Sequence, residues 1–332
     1  MAARLGICFA ALLMELILNN LISPVVLAFL LGAIAQWLKS DLEIPDAIYQ
    51  GISIYLLFAI GLKGGMAVAE TPVATLVGPI SITLLLGLIT PVTAFFLLKN
   101  FARLDRINAS AAAAHYGSVS AVTFVAAMEA AGNSGLPAEG FMPALVAVLE
   151  VPGIIVALLF ARQAKSGGMK AALHELVVGK SIFLMIGGLV IGTLCGPAKI
   201  ATVAPFFIDP FKGVLCLFLL ELGMVAARRI KDVREAGWRL VAVGCILPIL
   251  HGILGTMAGI AVGLSAGGAA VLGAMAGSAS YIAAPAAVRM ALPKASPGIY
   301  LTLALGITFP FNLAVGIPCL LALAKYLKAT PI

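Results

Sequence analysis

Two segments of the 332-residue chain carry the same small and hydroxylated residues at matching places. The first reads Gly117-Ser118-Val119-Ser120, and the second, 160 positions later, reads Gly277-Ser278-Ala279-Ser280. Each lies inside an apolar segment without polar flanks of its own. Serine hydroxyls can donate a hydrogen bond to an anion or offer oxygen to a cation. The duplication therefore predicts two halves of the chain that face one polar site.

The composition is that of an integral membrane protein. The chain is 62% hydrophobic and 11% charged, whereas a soluble domain carries about 25% charged residues. The mean hydropathy is +1.13, and the apolar runs reach the ~20 residues that a spanning helix needs. The formal charge of +7 is explained by basic cytoplasmic loops, so no nucleic-acid partner is predicted.

The cysteines and the N-terminus predict no special chemistry. The five cysteines are isolated in sequence, so neither a metal site nor a disulfide framework is expected. Residues 1–20 are predicted to form an N-terminal interfacial helix rather than a signal peptide. Glu15 interrupts their apolar run, and no small-x-small cleavage site follows.

Apolar runs between charged, proline and glycine residues predict ten transmembrane helices. They cover residues 21–38, 47–66, 76–98, 108–131, 141–161, 181–196, 211–227, 240–264, 269–290 and 299–325. The loops of one face hold 15 of the 21 lysines and arginines, so that face is predicted to be cytoplasmic. We expect a multi-pass protein of the cell's inner (plasma) membrane with both termini outside.

Three matches in nearly one register indicate that the two halves are related. They are Gly65-Met66 with Gly223-Met224, the two Gly-Ser-x-Ser segments, and Glu150-Val151-Pro152 with Thr308-Phe309-Pro310, at offsets of 158, 160 and 158 residues. Five spans in each half would insert the second half upside down, as in many secondary transporters. The sequence thus predicts an all-α membrane fold of two inverted five-helix repeats, 21–165 and 181–328, joined by a cytoplasmic linker, 166–180.

Glycine in both motifs, and Pro285 after the second, favour broken helices in spans 4 and 9 that meet at the membrane midplane. A break is tolerated there only where protein or a wet cavity surrounds it. The N-termini of the half-helices would then present free N–H groups and partial positive charge to an anion. The alternative is that the small residues serve close helix packing.

Glu150 is the acid deepest within a predicted span, near the middle of span 5. A carboxylate in that position is costly and needs a partner, for which Na⁺ and a proton are both candidates. Oxygen ligands suit a hard cation, and the predicted sodium ligands are Ser120, Thr123, Glu150, Thr308 and Asn312. The alternative is a structural role for Glu150, with its carboxylate bonded to backbone amides freed by a helix break.

Two further pairs of charged residues occupy matching positions of the repeat. Glu129 corresponds to Arg289, and Lys63 corresponds to Glu221. Inversion carries the two members of each pair to opposite membrane faces, so they are predicted to be interfacial anchors or gate-loop residues rather than ion pairs with each other.

No enzyme is predicted, because the sequence lacks a metal cluster, an Asp-Asp pair or a Ser-His arrangement at repeat-supported positions. The two histidines within spans, His115 and His251, have two interpretations. Each could relay protons or could donate a hydrogen bond to a neighbouring helix.

Three segments resemble signatures of the sodium-dependent bicarbonate transporter family. They are His115 to Phe124, Gly277 to Arg289, and Thr308 to Asn312, and the likeness extends from about residue 22 to 327. The resemblance implies ten helices in inverted repeats, with a core of spans 3–5 and 8–10 and a gate or scaffold of spans 1, 2, 6 and 7. It also implies a homotrimer.

The resemblance further implies that bicarbonate binds between the broken fourth and ninth helices. The residues in contact with the anion would be Gly117, Ser118, Ser120, Gly277, Ser278 and Ser280, and Ser120, Thr123 and Glu150 would serve Na⁺. Cyanobacterial members have a serine where this chain has Val122 and an aspartate where it has Glu150. These differences leave the sodium stoichiometry and the anion open.

The predicted function is Na⁺-coupled symport of bicarbonate, or of a similar small anion, into the cell by alternating access. The alternative is a proton- or sodium-coupled carrier of another small organic or inorganic anion; a sensor or scaffold would show no flux. The implied partners are the anion, Na⁺ and the lipid bilayer. In cyanobacterial relatives a PII-like regulator binds the cytoplasmic face. It is a possible partner here as well, although the cytoplasmic loop from Arg162 to Lys180 contains no recognisable binding motif for it.

Overall fold

The described chain is helical throughout. A computed structural model describes residues 13–161, 174 and 178–329. The chain is 82% helix, and these ranges contain no strand, so the all-helical prediction is confirmed. Most of the predicted linker 166–180, and residues 1–12 of the predicted N-terminal helix, lie outside the described residues.

The helices are numbered in chain order. The first half contains α1 (Leu13–Leu21), α2 (Pro24–Trp37), α3 (Asp46–Glu70), α4 (Val73–Asn100), α5 (Arg106–Gly117), α6 (Ala121–Asn133) and α7 (Met142–Phe160). The second half contains α8 (Lys180–Ile200), α9 (Ala204–Phe207), α10 (Phe211–Arg228), α11 (Ile230–Glu235), α12 (Trp238–Ala261), α13 (Ala266–Ala276), α14 (Ala284–Ala291), α15 (Pro297–Leu301), α16 (Phe309–Phe311) and α17 (Ile317–Ala329). Two π-helical turns, Thr302–Thr308 and Asn312–Gly316, flank α16.

Within the described ranges, eight helical stretches are long and apolar enough to cross a membrane. The number is nine if α1 and α2, which are bent by 60°, form one span. These lengths are those of a multi-pass membrane protein. The predicted number of ten depends on α13, which has only 11 residues, forming a span together with α14.

Glycines allow two pairs of helices to pack backbone against backbone. On α3, a Cβ added to Gly65 would lie 2.8 Å from the Cα of Gly192 on α8. On α10, a Cβ on Gly223 would lie 2.9 Å from the backbone nitrogen of Ala33 on α2. No real Cβ tolerates such distances, so these contacts form only because the positions are glycine. Helices α2, α3, α8 and α10 make up this first group.

The remaining long helices form a second group. Helix α4 packs against α5 and α7, and α5 also packs against α7. In the second half, α12 and α17 pack against α13, as does α6 of the first half, and the short α14 packs against α5 and α7, so α6 and α14 also belong to this group. Helices α5 and α13 are buried along most of their length. This second group therefore encloses the two Gly-Ser-x-Ser segments.

Candidate functional site

Helical geometry stops at the first motif. Helix α5 ends at Gly117, and Ser118 is extended, with φ −107° and ψ 174°. Ser120 then caps α6, because its Oγ accepts a hydrogen bond from the N–H of Thr123 at 3.1 Å. Serine favours this position since its hydroxyl satisfies an N–H that the first helical turn leaves without a partner. The motif serines thus lie in a short non-helical segment between two helices.

The second motif lies in a longer interruption. Helix α13 ends at Ala276, and α14 begins at Ala284. Pro285 stands in the first turn of α14, where the missing N–H costs nothing. The Oγ of Ser280 accepts a hydrogen bond from the N–H of Ala284 at 3.4 Å. Ser280 therefore stands in a place similar to that of Ser120.

The two segments are hydrogen-bonded to each other. The N–H of Ser120 donates to the Oγ of Ser278 at 2.8 Å. The N–H of Ser280 donates to the carbonyl of His115, also at 2.8 Å. The Oγ of Ser278 in turn donates to the carbonyl of Met275 at 2.7 Å. The hydroxyl of Ser278 is thus already engaged both as donor and as acceptor.

The motif glycines are positions of close backbone approach. A Cβ on Gly117 would lie 2.9 Å from the Cα of Gly153 on α7. A Cβ on Gly277 would lie 2.5 Å from the carbonyl oxygen of Pro248 on α12. The N–H of Gly277 donates to the carbonyl of Gly273 at 2.8 Å. Both glycines therefore let the neighbouring helices approach the interrupted segments closely.

Glu150 lies beside the two segments. It is 4% exposed on α7, and its carboxyl group faces the hydroxyls of Ser118 and Ser280. The Oγ of Ser118 is buried, and the Glu150 carboxyl group is the acceptor that it faces. A cavity adjoins this group and is lined by Leu57, Val119, Ser120, Ala121, Glu150, Ser181, Met185, Ser280, Tyr281 and Ile282. A buried carboxylate surrounded by hydroxyls needs a bound cation or a proton to balance its charge.

The other predicted sodium ligands do not line this cavity. Thr123 is buried in the first turn of α6. The Oγ1 of Thr308 donates to the carbonyl of Gly244 at 2.8 Å and lies 2.6 Å from the hydroxyl of Tyr116. The side-chain nitrogen of Asn312 donates to the carbonyl of Gly277 at 2.9 Å. Within the described ranges there is also no group of three or more His, Cys, Asp or Glu residues that could hold a metal ion.

Two polar residues of the cavity, Ser181 and Tyr281, were not predicted from the sequence to belong to the site. Ser181 comes from α8, and a single serine beside a lysine carries no recognisable signal. Tyr281 follows the second motif directly, and its buried hydroxyl faces that of Ser120. Its position next to Ser280 is a signal that could have marked it as part of the site.

Both in-span histidines form hydrogen bonds. His251 bonds through Nε2 to the Oγ1 of Thr93, on the neighbouring α4, at 2.7 Å. His115 donates from Nδ1 to the carbonyl of Ala111 at 2.8 Å, within its own helix. The ring of His115 also stacks on that of Tyr300, with centroids 4.4 Å apart. The bond between His251 and Thr93 on α4 is thus a hydrogen bond to a neighbouring helix, which is one of the two interpretations of this histidine given by the sequence.

Comparison with known proteins assigns the family. No curated protein matches the chain. The model of the Na⁺-dependent bicarbonate transporter superfamily, however, matches residues 24–325 and so covers both motif segments, Glu150 and nearly all the described helices. This match confirms the resemblance seen in the sequence. The chain belongs to the Na⁺-dependent bicarbonate transporter superfamily.

Proposed function

We propose that the protein is a symporter that carries bicarbonate, or a similarly small monovalent anion, into the cell together with Na⁺. One observation carries the proposal. The two interrupted helical segments are hydrogen-bonded to each other beside a single buried acid, Glu150. Membership of the superfamily supports Na⁺ and bicarbonate as the transported pair.

The anion would bind where α6 begins. The first N–H groups of a helix lack partners within it and carry partial positive charge, which favours an anion. Ala121, the first residue of α6, lines the cavity together with Ser120 and Ser280. We assign anion contact to the hydroxyls of Ser118, Ser120 and Ser280, and we assign Gly117, Gly277 and Ser278 to shaping the site.

The Na⁺ would bind at Glu150, with hydroxyl oxygens from Ser118, Ser120 and Ser280 as further ligands. A hard cation prefers oxygen ligands of this kind. Bound Na⁺ would neutralise a carboxylate that otherwise repels the anion, and this gives a physical reason for coupling. Thr123 remains a predicted ligand. Thr308 and Asn312 would become ligands only in a conformation in which their present hydrogen bonds open.

We further propose ten spans, with α13 and α14 forming the ninth, in two inverted repeats, 21–165 and 181–328. The packing of α3 on α8 and of α2 on α10 supports this arrangement, because residues 158 positions apart, Gly65 and Gly223, lie at equivalent contacts. The first helix group would be the gate, and the second group would be the moving core. The homotrimer, the inner-membrane location with outward termini, and the PII-like regulator remain predictions.

A proton-coupled carrier of another small anion is the second candidate, because a buried carboxyl group facing two hydroxyls can also hold a proton. Uptake of labelled bicarbonate into proteoliposomes, under an imposed gradient of Na⁺ or of protons, separates the two. We expect uptake to follow the Na⁺ gradient, and uptake indifferent to Na⁺ would falsify the symport. Competition by a panel of small anions tests the substrate. If a second Na⁺ moves with a monovalent anion, each transport cycle carries one net charge. A membrane potential then adds about 2.3 kcal/mol per 100 mV to the driving force, so uptake that responds to the potential reveals the second Na⁺.

A further inference from the structure

An ion pair joins the core to the gate on the side predicted to face outward. The Oε1 of Glu129, near the end of α6, lies 2.7 Å from the Nζ of Lys212, at the start of α10. The ammonium group of Lys63 lies 4.7 Å from the ring centre of Phe211, the residue before Lys212, and within electrostatic reach of Glu129. Glu129, predicted to be an interfacial anchor or a gate-loop residue, thus makes a contact between the two helix groups.

The inner side carries the same positions with the charges inverted. At offsets of 158, 158 and 160 residues, Lys63 corresponds to Glu221, Glu70 to Arg228, and Glu129 to Arg289. In each of the three pairs, one half of the chain has an acidic residue where the other half has a basic one. One exchange would mean little, but three in nearly one register indicate a shared role at the two faces.

The partners at the two faces differ. On the inner side, the Oε1 of Glu221 lies 3.1 Å from Arg228, seven residues along the same helix, so this pair remains within the gate. Arg289, at the end of core helix α14, is exposed and forms no ion pair with any described residue. On the outer side, Glu129 therefore bonds across the boundary between core and gate. On the inner side, Glu221 does not.

The cavities agree with this difference. The cavity beside Glu150 shares Ser181 and Ile282 with a second cavity of about 190 Å³, and it shares Leu57, Ala121 and Ile282 with a third of only about 20 Å³ between α3, α6 and α10. Gly179, Lys180 and Ala286 also line the second cavity, at the start of α8. The loop charges predict that this end is cytoplasmic. The site thus continues toward the inner side, away from the pair of Glu129 and Lys212.

We propose that these charged residues are the two gates of the transport cycle and that they work by exchanging partners. In the conformation described, Glu129 holds the outer side closed through Lys212 and Lys63. In the opposite conformation Glu221 leaves Arg228 and pairs with Arg289, which closes the inner side, and Lys63 turns to Glu70. The base of each observed pair, Lys212 or Arg228, is exposed to solvent, which screens the attraction and allows the partners to exchange. The inference rests on the proposed alternating access but not on the identity of the anion.

Cysteine pairs in a variant whose five natural cysteines are replaced by alanine test the proposal. Because the 2.7 Å contact joins the tips of two long side chains, the two cysteines are cross-linked with a short, reducible bis-thiosulfonate reagent rather than by a direct disulfide. In membranes we expect Glu129→Cys with Lys212→Cys to be cross-linked readily without Na⁺ or anion. Glu221→Cys with Arg289→Cys should be cross-linked slowly at rest and faster when Na⁺ and the anion are both supplied. The control pair, Glu129→Cys with Lys199→Cys, joins two outer-side residues that have no proposed contact.

If Glu221→Cys with Arg289→Cys is cross-linked no faster than the control pair under every ligand condition, the proposal is overturned. Because cross-linking reports conformation, it remains informative even if bicarbonate is not the cargo, and a lack of bicarbonate uptake alone would refute only the proposed function. A second test needs no cysteine. In the natural chain Arg289→Glu should abolish uptake, and Arg289→Lys and the exposed control Arg234→Glu should retain it. Equal uptake by Arg289→Glu and Arg234→Glu would also refute the gate.

Discussion

The N–H of Ser120 donates to the hydroxyl of Ser278 across 158 residues of sequence, and this bond fixes the two interrupted segments against each other. Ser280, two residues later, is placed differently. Its N–H is held by the carbonyl of His115, and its hydroxyl faces Glu150. The two serines of one motif therefore have separate roles, since Ser278 joins the segments and Ser280 faces the proposed cation.

This difference predicts opposite phenotypes for two similar variants. Ser278→Ala leaves the buried N–H of Ser120 without its acceptor, which should cost about 1–3 kcal/mol of unfolding free energy. Ser280→Ala keeps its backbone bond and should lose less stability but weaken the Na⁺ dependence of uptake. Thermal unfolding in detergent and Na⁺ titration of uptake measure the two effects. Equal losses of stability in both variants would contradict the assignment.

Substitutions of Glu150 test the coupling ion. Glu150→Gln keeps the size of the side chain but removes the charge, so the dependence of uptake on Na⁺ should disappear. Glu150→Asp withdraws the carboxylate by one methylene and should weaken the apparent Na⁺ affinity on the order of tenfold. Glu43→Gln, in the exposed loop before α3, is the control. Unchanged Na⁺ dependence in Glu150→Gln would remove this residue from the site.

Adjacent glycines of α8 test the packing of the gate. A Cβ on Gly188 would lie 2.7 Å from the carbonyl oxygen of Phe58 on α3, whereas a Cβ on Gly187 would meet nothing within 4 Å. Gly188→Ala should therefore separate the helices and cost about 1–3 kcal/mol. Gly187→Ala should be neutral or stabilising by about 0.4–1 kcal/mol. Thermal unfolding of both variants in the same detergent measures the two effects. Similar melting temperatures would refute the close approach of Gly188 to α3.

Tyr116 and Thr308 join the two halves through another buried hydrogen bond, 2.6 Å long. Thr308→Val leaves the phenol without a partner, but Tyr116→Phe in the same molecule removes that penalty. The double variant should thus be more stable than the sum of the single effects predicts, by about 0.5–3 kcal/mol. Denaturation of the four proteins gives the coupling energy. Strict additivity would mean that the contact contributes nothing to stability.

The sequence predicted the features that depend on local composition. Apolar runs located the long helices, for example α7 at Met142–Phe160 against a predicted span of 141–161. Partners distant in the chain were not predictable in the same way. The pairs Tyr116 with Thr308 and Glu129 with Lys212 depend on how helices pack, and no periodicity of one helix specifies its neighbour. The repeat itself remains a prediction, and its register relates Gly65 to Gly223, which both lie at close helix contacts.

Asp105 makes the stability of the core dependent on pH. It caps α5 by accepting hydrogen bonds from the N–H groups of Ile107 at 2.9 Å and Asn108 at 3.1 Å. Partial burial acts to raise the pKa of its carboxyl, but these bonds and one from the Asn108 side chain outweigh that effect and lower the pKa below its usual 3.8. The capping contribution is therefore complete above pH 3.8 and is lost as the pH falls through the lowered pKa.

A comparison of two caps isolates this titration. Asparagine also caps helices but does not ionise, so Asp105→Asn should lack the acid-side loss of stability that the carboxylate confers. Asp105→Ala should cost about 1 kcal/mol at neutral pH. Melting temperatures measured from pH 7 down to pH 3 give the slopes. The natural protein should lose its advantage over Asp105→Asn as the pH falls, because only its cap is neutralised by protonation, and parallel curves would show that the carboxylate does not titrate as proposed.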